Sequence, residues 1–199
     1  MAFAAFAERA RAMIAQPAQE WPIVAAEPTT TTALLRGYVV PLAIIGPFFG
    51  LVGAIIFEHQ GILVAIVGAV LEFLLELIAV FVIAFVADAL SPAFGGTKDF
   101  VQAFKWVGYS STARWAAGIF EVIPVFGRLI FLVATLYSLY TLYLGTKPAM
   151  NIGHDKALGF TLAVIVAYIV VIGIVTWLLV ILLALFFAGA AVATGAAIR

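Results

Sequence analysis

Two acidic residues lie inside the most hydrophobic stretch of the sequence, where an ionised group is costly. Glu72 and Glu76 fall near the middle of residues 62–87, ILVAIVGAVLEFLLELIAVFVIAFVA, which are otherwise apolar. Residues four positions apart share one face of a helix, so both carboxyl groups are predicted to project from the same side. Acids at this depth mark ion, proton or polar-headgroup pathways, or else form ion pairs that fix how helices pack.

A second hydrophobic segment, residues 100–122, supplies a basic counterpart. At 1.5 Å per residue, Glu72 would lie about 15 Å and Arg114 about 12 Å below the same membrane face, so these two are predicted to pair. One arginine cannot neutralise both acids, and Glu76 is therefore predicted to be the protonated one. The candidate intramembrane polar site combines these three residues with two polar ones on the arginine's helical face: Glu72, Glu76, Arg114, Ser110 and Glu121.

Other familiar chemistry finds little support in the sequence. There is no cysteine, which excludes thiol catalysis and thiolate metal sites. The two histidines, His59 and His154, fall in connecting segments without a neighbouring nucleophile or a metal-ligand spacing. The formal net charge is zero, which gives no indication of nucleic-acid binding. We therefore expect a protein that is not an enzyme, with no cofactor, no metal and no nucleic-acid partner.

Composition identifies the class of protein that must position these residues. Hydrophobic residues make up 66% of the chain and charged residues 10%, against roughly 25% charged residues in a typical soluble domain. We predict an all-α, polytopic integral membrane protein with five transmembrane helices. The predicted spans are about 38–57, 62–87, 100–122, 126–144 and 157–187, within a membrane domain of residues 36–188 that is followed by a short, weakly structured tail, 189–199.

The region before the first span, residues 1–35, is predicted to hold a short amphipathic helix and a linker. In residues 2–16 we expect Phe3, Phe6, Met13 and Ile14 to contact lipid headgroups or the helix bundle, while Arg9 faces water. In the linker, Trp21 suits the membrane interface and the threonines at 29–32 suit a helix N-cap.

Two further features concern the spans themselves. Pro41 and Pro47 lie inside the first span and should bend it or loosen its turns. Positive residues set the orientation: a cytoplasmic N-terminus and an external C-terminus leave only Arg128 and Arg199 on the external side. The cytoplasmic side then holds the remaining positive residues outside the spans or near their ends: Arg9, Arg11, Arg36, Lys98, Lys105, Lys147 and Lys156.

Three strings carry a family resemblance: PAQEWPIVAAEPTTTTALLRGYVVPLA, FVQAFKWVGYSSTARW and LYSLYTLYLGTKPAMNIGHDKALGFT. The Trp-Pro linker, the Gly108-Tyr109 pair and the tyrosine-rich fourth span together resemble the prokaryotic branch of the Yip family. That family comprises five-span membrane proteins named for relatives that interact with Ypt/Rab GTPases, and the resemblance implies an all-α fold with a cytoplasmic N-terminus. Its eukaryotic members act in vesicle traffic and membrane shaping, and they carry an Asp-Leu-Tyr motif in a long N-terminal region. This chain lacks that motif, which argues against GTPase binding.

The sequence thus supports two functions from different classes. The first is a non-enzymatic, membrane-organising or protein-interaction factor of the prokaryotic cytoplasmic membrane, whose partners are membrane lipids and either other proteins or a second copy. The alternative is a small transporter, channel or lipid-translocating protein that uses Glu72, Glu76 and Arg114. A cavity reaching Glu72 or Glu76 would favour the alternative, and a tightly packed ion pair would favour the first.

Overall fold

A computed structural model describes residues 3–196, and within that range the chain is helical with no strand. Four helical segments are long and apolar enough to cross a membrane: Thr31–Ile56, Ile62–Phe94, Pro124–Met150 and His154–Val171. These match the predicted first, second, fourth and fifth spans. The predicted third span is not one long helix, and its course is described below.

The N-terminal region forms a helical hairpin, not a helix followed by a linker. Helix α1 spans Phe3–Ala15 and α2 spans Pro17–Ala26. Pro17 ends the first helix as expected, but it also takes the first position of the second, where its missing N–H costs nothing.

The first membrane helix is irregular near Pro41 and Pro47, as predicted from the sequence. It begins with α3 (Thr31–Leu34), capped by the Thr30 hydroxyl, which accepts the Ala33 N–H at 3.2 Å. A π-helical turn at Leu35–Val39 leads into α4 (Val40–Ala43), and α5 (Ile45–Ile56) follows. Prolines at 41 and 47 supply no N–H to the preceding turns, which explains both the widened turn and the break at Ile44.

The next helix, α6, runs without interruption from Ile62 to Leu90 and continues as a 3-10 turn at Ser91–Phe94. Asp88, the first residue after the predicted second span, is a buried residue in the last turn of α6. The loop proper is confined to residues 95–99, beginning at Gly95, whose φ of 81° is readily adopted by glycine.

Residues 100–122 fold as three short helices: α7 (Phe100–Ser110), α8 (Thr112–Ala117) and a 3-10 segment at Gly118–Val122. Every residue from Ala103 to Ser110 is buried, so the least hydrophobic of the predicted spans lies at the centre of the bundle. It packs against α6 and against the following helix, α9 (Pro124–Met150). This position has a physical reason, because polar groups at membrane depth need protein partners that lipid cannot offer.

The last helix, α10, extends from His154 to Ala196. The predicted tail at 189–199 is therefore helical up to residue 196, and its last three residues lie outside the described range. Aromatic side chains dominate the core: the largest fully buried ones are Trp21, Trp106, Tyr38, Phe104 and Phe160.

Candidate functional site

Arg114 pairs with Glu76, not with Glu72. Its two terminal nitrogens donate to the two carboxylate oxygens of Glu76 at 2.6 and 2.7 Å, and the indole N–H of Trp115 donates to the same carboxylate at 3.1 Å. This bidentate geometry is the strong form of an arginine–carboxylate interaction. The predicted pairing with Glu72 was wrong, and so was the prediction that Glu76 is the acid left without a counter-charge.

The prediction compared depths along two straight helices, whereas residues 100–122 fold as three short helices. The 3-10 rise of Gly118–Val122 adds only about 2.5 Å to the depth of Arg114, which is less than one helical turn. The pairing with Glu76, the residue midway between Ile62 and Leu90, therefore depends on how the short helices pack against α6.

Glu72 and Glu121 form a separate acidic pair beside α5. A methyl group added to Gly50 would lie 3.5 Å from Oε2 of Glu121 and 3.9 Å from Oε2 of Glu72, so both carboxyl groups approach this glycine. A methyl group on Gly46 would lie 3.3 Å from Oε1 of Glu121. The two glycines thus leave room on α5 for carboxyl groups from two other elements.

These two acids line a cavity of about 330 Å³ between α5, α6, the 3-10 segment and α9. Glu58 and Arg128 also line it; their charged groups are 3.8 Å apart, and the Arg128 side chain is 79% exposed. The cavity therefore holds three carboxyl groups and one guanidinium, and that guanidinium extends into solvent. A cavity of this size and charge can accept a small cationic group.

Ser110 lies apart from the acids, on a second cavity. This cavity measures about 350 Å³ and is lined by residues of α6, α7, α8, α9 and α10, among them Ser110 and Arg114. Ser110 is 2% exposed, and among the described residues its hydroxyl has no hydrogen-bond partner. Of the five predicted site residues, Glu72 and Glu121 line the first cavity, Ser110 and Arg114 line the second, and Glu76 lines neither.

Phe131 is a site residue that the sequence did not reveal. It lines both large cavities and also the space of about 10 Å³ that remains around the ion pair. The guanidinium carbon of Arg114 lies 5.8 Å from its ring centroid, a cation–π distance. Arg114, Glu76 and Phe131 therefore close the bundle between the two cavities. An aromatic residue in a hydrophobic span carries no sequence signal that separates this role from ordinary packing.

The N-terminal hairpin also departs from its predicted arrangement. Arg9, expected to face water, forms ion pairs with Glu20 and Glu27 on the adjoining segment. Burial alone would lower the pKa of Arg9, but the charges of Glu27 and Glu20 outweigh it and raise the pKa, so the guanidinium stays charged. Of the residues predicted to contact lipid or bundle, Met13 is buried and Phe6 packs against Tyr38 at 5.8 Å between ring centroids.

The other two residues predicted to contact lipid or the bundle are Ile14 and Phe3. Ile14 is 36% exposed, and its carbonyl accepts a hydrogen bond from the Tyr137 hydroxyl at 2.6 Å. The side chain of Phe3 lies outside the described part of the structure.

Helix α2 is fastened to the bundle by residues expected to be peripheral. Trp21, predicted at the membrane interface, is 0% exposed, and its indole N–H donates to the Thr141 carbonyl at 2.9 Å. The ammonium of Lys105 donates to the Ala25 and Glu27 carbonyls at 3.2 and 2.6 Å, which satisfies the carboxyl end of α2.

Another possible kind of site in the described residues is one where several side chains bind a metal ion together. Within residues 3–196, no three His, Cys, Asp or Glu side chains are grouped so that they could hold a metal ion. His59 stands in the loop before α6 with a φ of 54°, and His154 begins α10.

Long apolar helices around a buried, charge-paired interior define an integral membrane protein of the all-α class. The family model described as the Yip1 domain matches residues 11–176. The chain therefore belongs to the Yip family, a family of membrane proteins not known for enzymatic activity, and the predicted family is confirmed. The searches of curated proteins and of solved structures found no match.

Proposed function

We propose that this protein is a prokaryotic-branch, five-span Yip protein of the cytoplasmic membrane that binds a cation at Glu72 and Glu121 and acts in transport. The four long helices would be joined by one more span, the predicted third, which is the interrupted segment of residues 100–122. Its three helices add up to about 35 Å of rise, enough for a hydrocarbon core of about 30 Å. A broken helix at membrane depth is tolerated where protein surrounds it, and α7 is buried in this way.

The observation that carries the cation proposal is that Glu72 and Glu121 are separate from Arg114, the arginine at membrane depth in the described chain. Arg114 donates to Glu76 through both terminal nitrogens, and within the described chain it makes no hydrogen bond to Glu72 or Glu121. Glu72 and Glu121 instead share an open cavity whose remaining guanidinium, Arg128, points to solvent. A bound cation would offset the charge of these carboxylates.

The position of the cavity supports transport over simple binding. With the N-terminus in the cytoplasm, the cavity would open at the external face, where α5 ends and α9 begins. Its inner end would meet the Arg114–Glu76 pair and Phe131 near mid-depth. A charged site open to one face and closed at its inner end is what alternating access requires of one of its states.

The test is cation uptake into proteoliposomes, measured with separate dyes for H⁺, Na⁺ and K⁺. We expect uptake of one of these ions, and we expect Glu72→Gln to slow it about tenfold, the value of one charged hydrogen bond of roughly 1.5 kcal/mol. The matched control is Glu8→Gln, which removes the same charge from an exposed position on α1, outside the cavity, and should have little effect.

Two results would decide against small-cation transport. Equal uptake by the parent and by Glu72→Gln would remove the site from the mechanism. If no ion moves, but a fluorescent phosphatidylethanolamine is translocated and Glu72→Gln abolishes that movement, the cationic group is a lipid headgroup.

Family membership favours a second candidate, a membrane-organising or protein-interaction factor. The relatives' role in membrane shaping, implied by the resemblance, would place this activity in the whole bundle and in the docked N-terminal hairpin, not in the acidic cavity. Reconstituted protein would then reduce liposome diameter as its density rises, and Glu72→Gln would reduce it equally.

A further inference from the structure

The second cavity, lined by Ser110 and Arg114, is separate from the acidic cavity and has no acidic residue in its lining, and its lining is typical of a ligand site. Its floor is buried: Ser110 is 2% exposed, Ser138 8% and Val164 0%. Its rim is not, because Leu139 is 37% and Ile169 61% exposed. Pockets of roughly 300–1,000 Å³ with apolar walls and a few polar groups are typical of small-molecule sites, and this one lies at the lower limit.

The rim indicates where an occupant would come from. Leu139 and Ile169 belong to the outer surfaces of α9 and α10, where other large apolar side chains are also exposed: Leu132, Val133, Leu136, Val166 and Val170. A membrane helix presents such a surface to the hydrocarbon of the bilayer. The cavity therefore opens toward lipid, and the molecule that enters it must be soluble in the bilayer core.

The floor indicates which polar group that molecule carries. The Ser110 hydroxyl has no partner among the described residues. Ser138 accepts the backbone N–H of Arg114 at 3.2 Å, and within the described chain it donates its own proton to no acceptor. Two hydroxyl donors without acceptors are suited to a group that only accepts hydrogen bonds, such as a carbonyl oxygen.

Charge excludes the commonest bilayer components. Arg114 also lines this cavity, but its charge is already matched by Glu76. An anionic phosphate or carboxylate would add an unmatched negative charge in a low-dielectric interior, and an ammonium group would add an unmatched positive one. The occupant is therefore uncharged.

The depth of Ser110 in the membrane distinguishes between the neutral lipids that could carry the carbonyl group. Ser110 lies one turn before Arg114, whose partner Glu76 is the middle residue of α6. Ester carbonyls of glycerolipids lie near the membrane interface, whereas the ring of a prenylated quinone can reside in the bilayer core. We propose that this cavity binds a neutral carbonyl-bearing lipid of the bilayer core, of the prenylquinone class, through Ser110 and Ser138.

The test measures binding of decylubiquinone to the full chain in nanodiscs by titration calorimetry, with empty nanodiscs as the reference. Decylbenzene, which has the same alkyl chain without carbonyl groups, is the matched ligand. We expect decylubiquinone to bind at least about tenfold more tightly, and Ser110→Ala to weaken it about fivefold, as one neutral hydrogen bond implies. Ser111→Ala is the matched variant: that hydroxyl lines the same cavity but already donates to the Val107 carbonyl at 2.9 Å, so affinity should stay within about twofold.

Folding does not confound this comparison, because Ser110→Ala removes a buried hydroxyl without a partner and should leave the melting temperature unchanged or higher. Equal binding of the two ligands, or parental affinity in Ser110→Ala, would overturn the proposal. Retention of a charged phospholipid that decylubiquinone cannot displace would overturn it as well. Glu72→Gln should bind decylubiquinone normally, so this test is independent of the cation site.

Discussion

At the scale of single residues, the distribution of one guanidinium among three carboxyl groups governs the interior of this protein. Arg114 and the Trp115 indole together give Glu76 three donors, and both charged side chains of the pair are 20% exposed. Glu72 and Glu121 receive no donor from Arg114 and border a cavity instead. Residues that look equivalent in the sequence, Glu72 and Glu76, therefore have different surroundings: Glu76 is held in an ion pair, and Glu72 lines a cavity.

This division predicts the stability of three variants. Arg114→Leu should lower the free energy of unfolding by about 3 kcal/mol, because it leaves Glu76 in the interior without its partner. Glu76→Gln should also be clearly destabilising, since it leaves Arg114 uncompensated. Glu72→Gln should be nearly neutral. Thermal unfolding of the purified variants in detergent at neutral pH measures all three, and a Glu72→Gln variant less stable than Glu76→Gln would show that the assignment of the pair is wrong.

At the scale of elements, close approach between helices depends on aromatic rings and on glycines placed opposite them. Trp21 of α2 and Trp106 of α7 both lie against Gly145 of α9, and both indoles donate to carbonyls of α9. This arrangement joins the N-terminal hairpin to the bundle core. It makes residues 17–26 part of the folded domain, although their sequence reads as a linker.

The anchoring of α2 predicts that Trp21→Ala releases the hairpin. Loss of a fully buried tryptophan costs about 3–5 kcal/mol in a packed core. We expect faster hydrogen exchange across α1 and α2 with little change in α9. Ile23→Ala, an exposed position on the same helix, is the control and should exchange like the parent. Uniformly faster exchange in every helix would indicate general unfolding, which is not what the hairpin model predicts.

The glycine at the same contact allows a second test. A methyl group at Gly145 would lie 2.4 Å from the Trp21 ring and 2.9 Å from that of Trp106, so Gly145→Ala must displace large buried side chains. We expect a loss of about 1–3 kcal/mol. Gly68→Ala in α6 meets nothing within 4 Å and should be neutral or gain up to about 1 kcal/mol of helix propensity. The melting temperatures of the two variants in detergent measure this difference. An equal change in both would contradict the close packing of Gly145 against the two tryptophan rings.

At the scale of the whole molecule, the interrupted segment determines the topology. If residues 100–122 cross the membrane, the number of spans is odd and the termini lie on opposite sides. If they do not, the four long helices place both termini on one side. The buried environment of α7 supports the first arrangement.

Since the chain has no cysteine, single cysteines can report this topology directly. We expect an impermeant maleimide to label His59→Cys and Ile123→Cys in intact cells. Thr97→Cys and Asn151→Cys should react only after permeabilisation. All four positions are at least partly exposed, which makes accessibility to the reagent comparable. External labelling at 97 or 151 would contradict a cytoplasmic N-terminus with five spans.

The sequence by itself determined the class of this protein and the approximate positions of its four long helices. Apolar runs of more than twenty residues admit few folds, because backbone polar groups in lipid must be satisfied within the segment. Pro41 and Pro47 predicted the irregular first span, and the threonines at 29–32 predicted its N-cap, which is Thr30. Local rules suffice for such features, since each depends on neighbours within one or two turns.

Only the tertiary structure decided which charges meet. The choice between Glu72 and Glu76 as partner of Arg114 turned on one helical turn of depth, and residues 100–122 do not follow the straight helix on which that depth comparison relied. Trp21 looked interfacial because amphipathic rings favour that position, yet Gly145, more than a hundred residues away, provides the space that buries it. Periodicity and composition describe one segment at a time, whereas ion pairs, ring contacts and cavities depend on how segments are placed against each other.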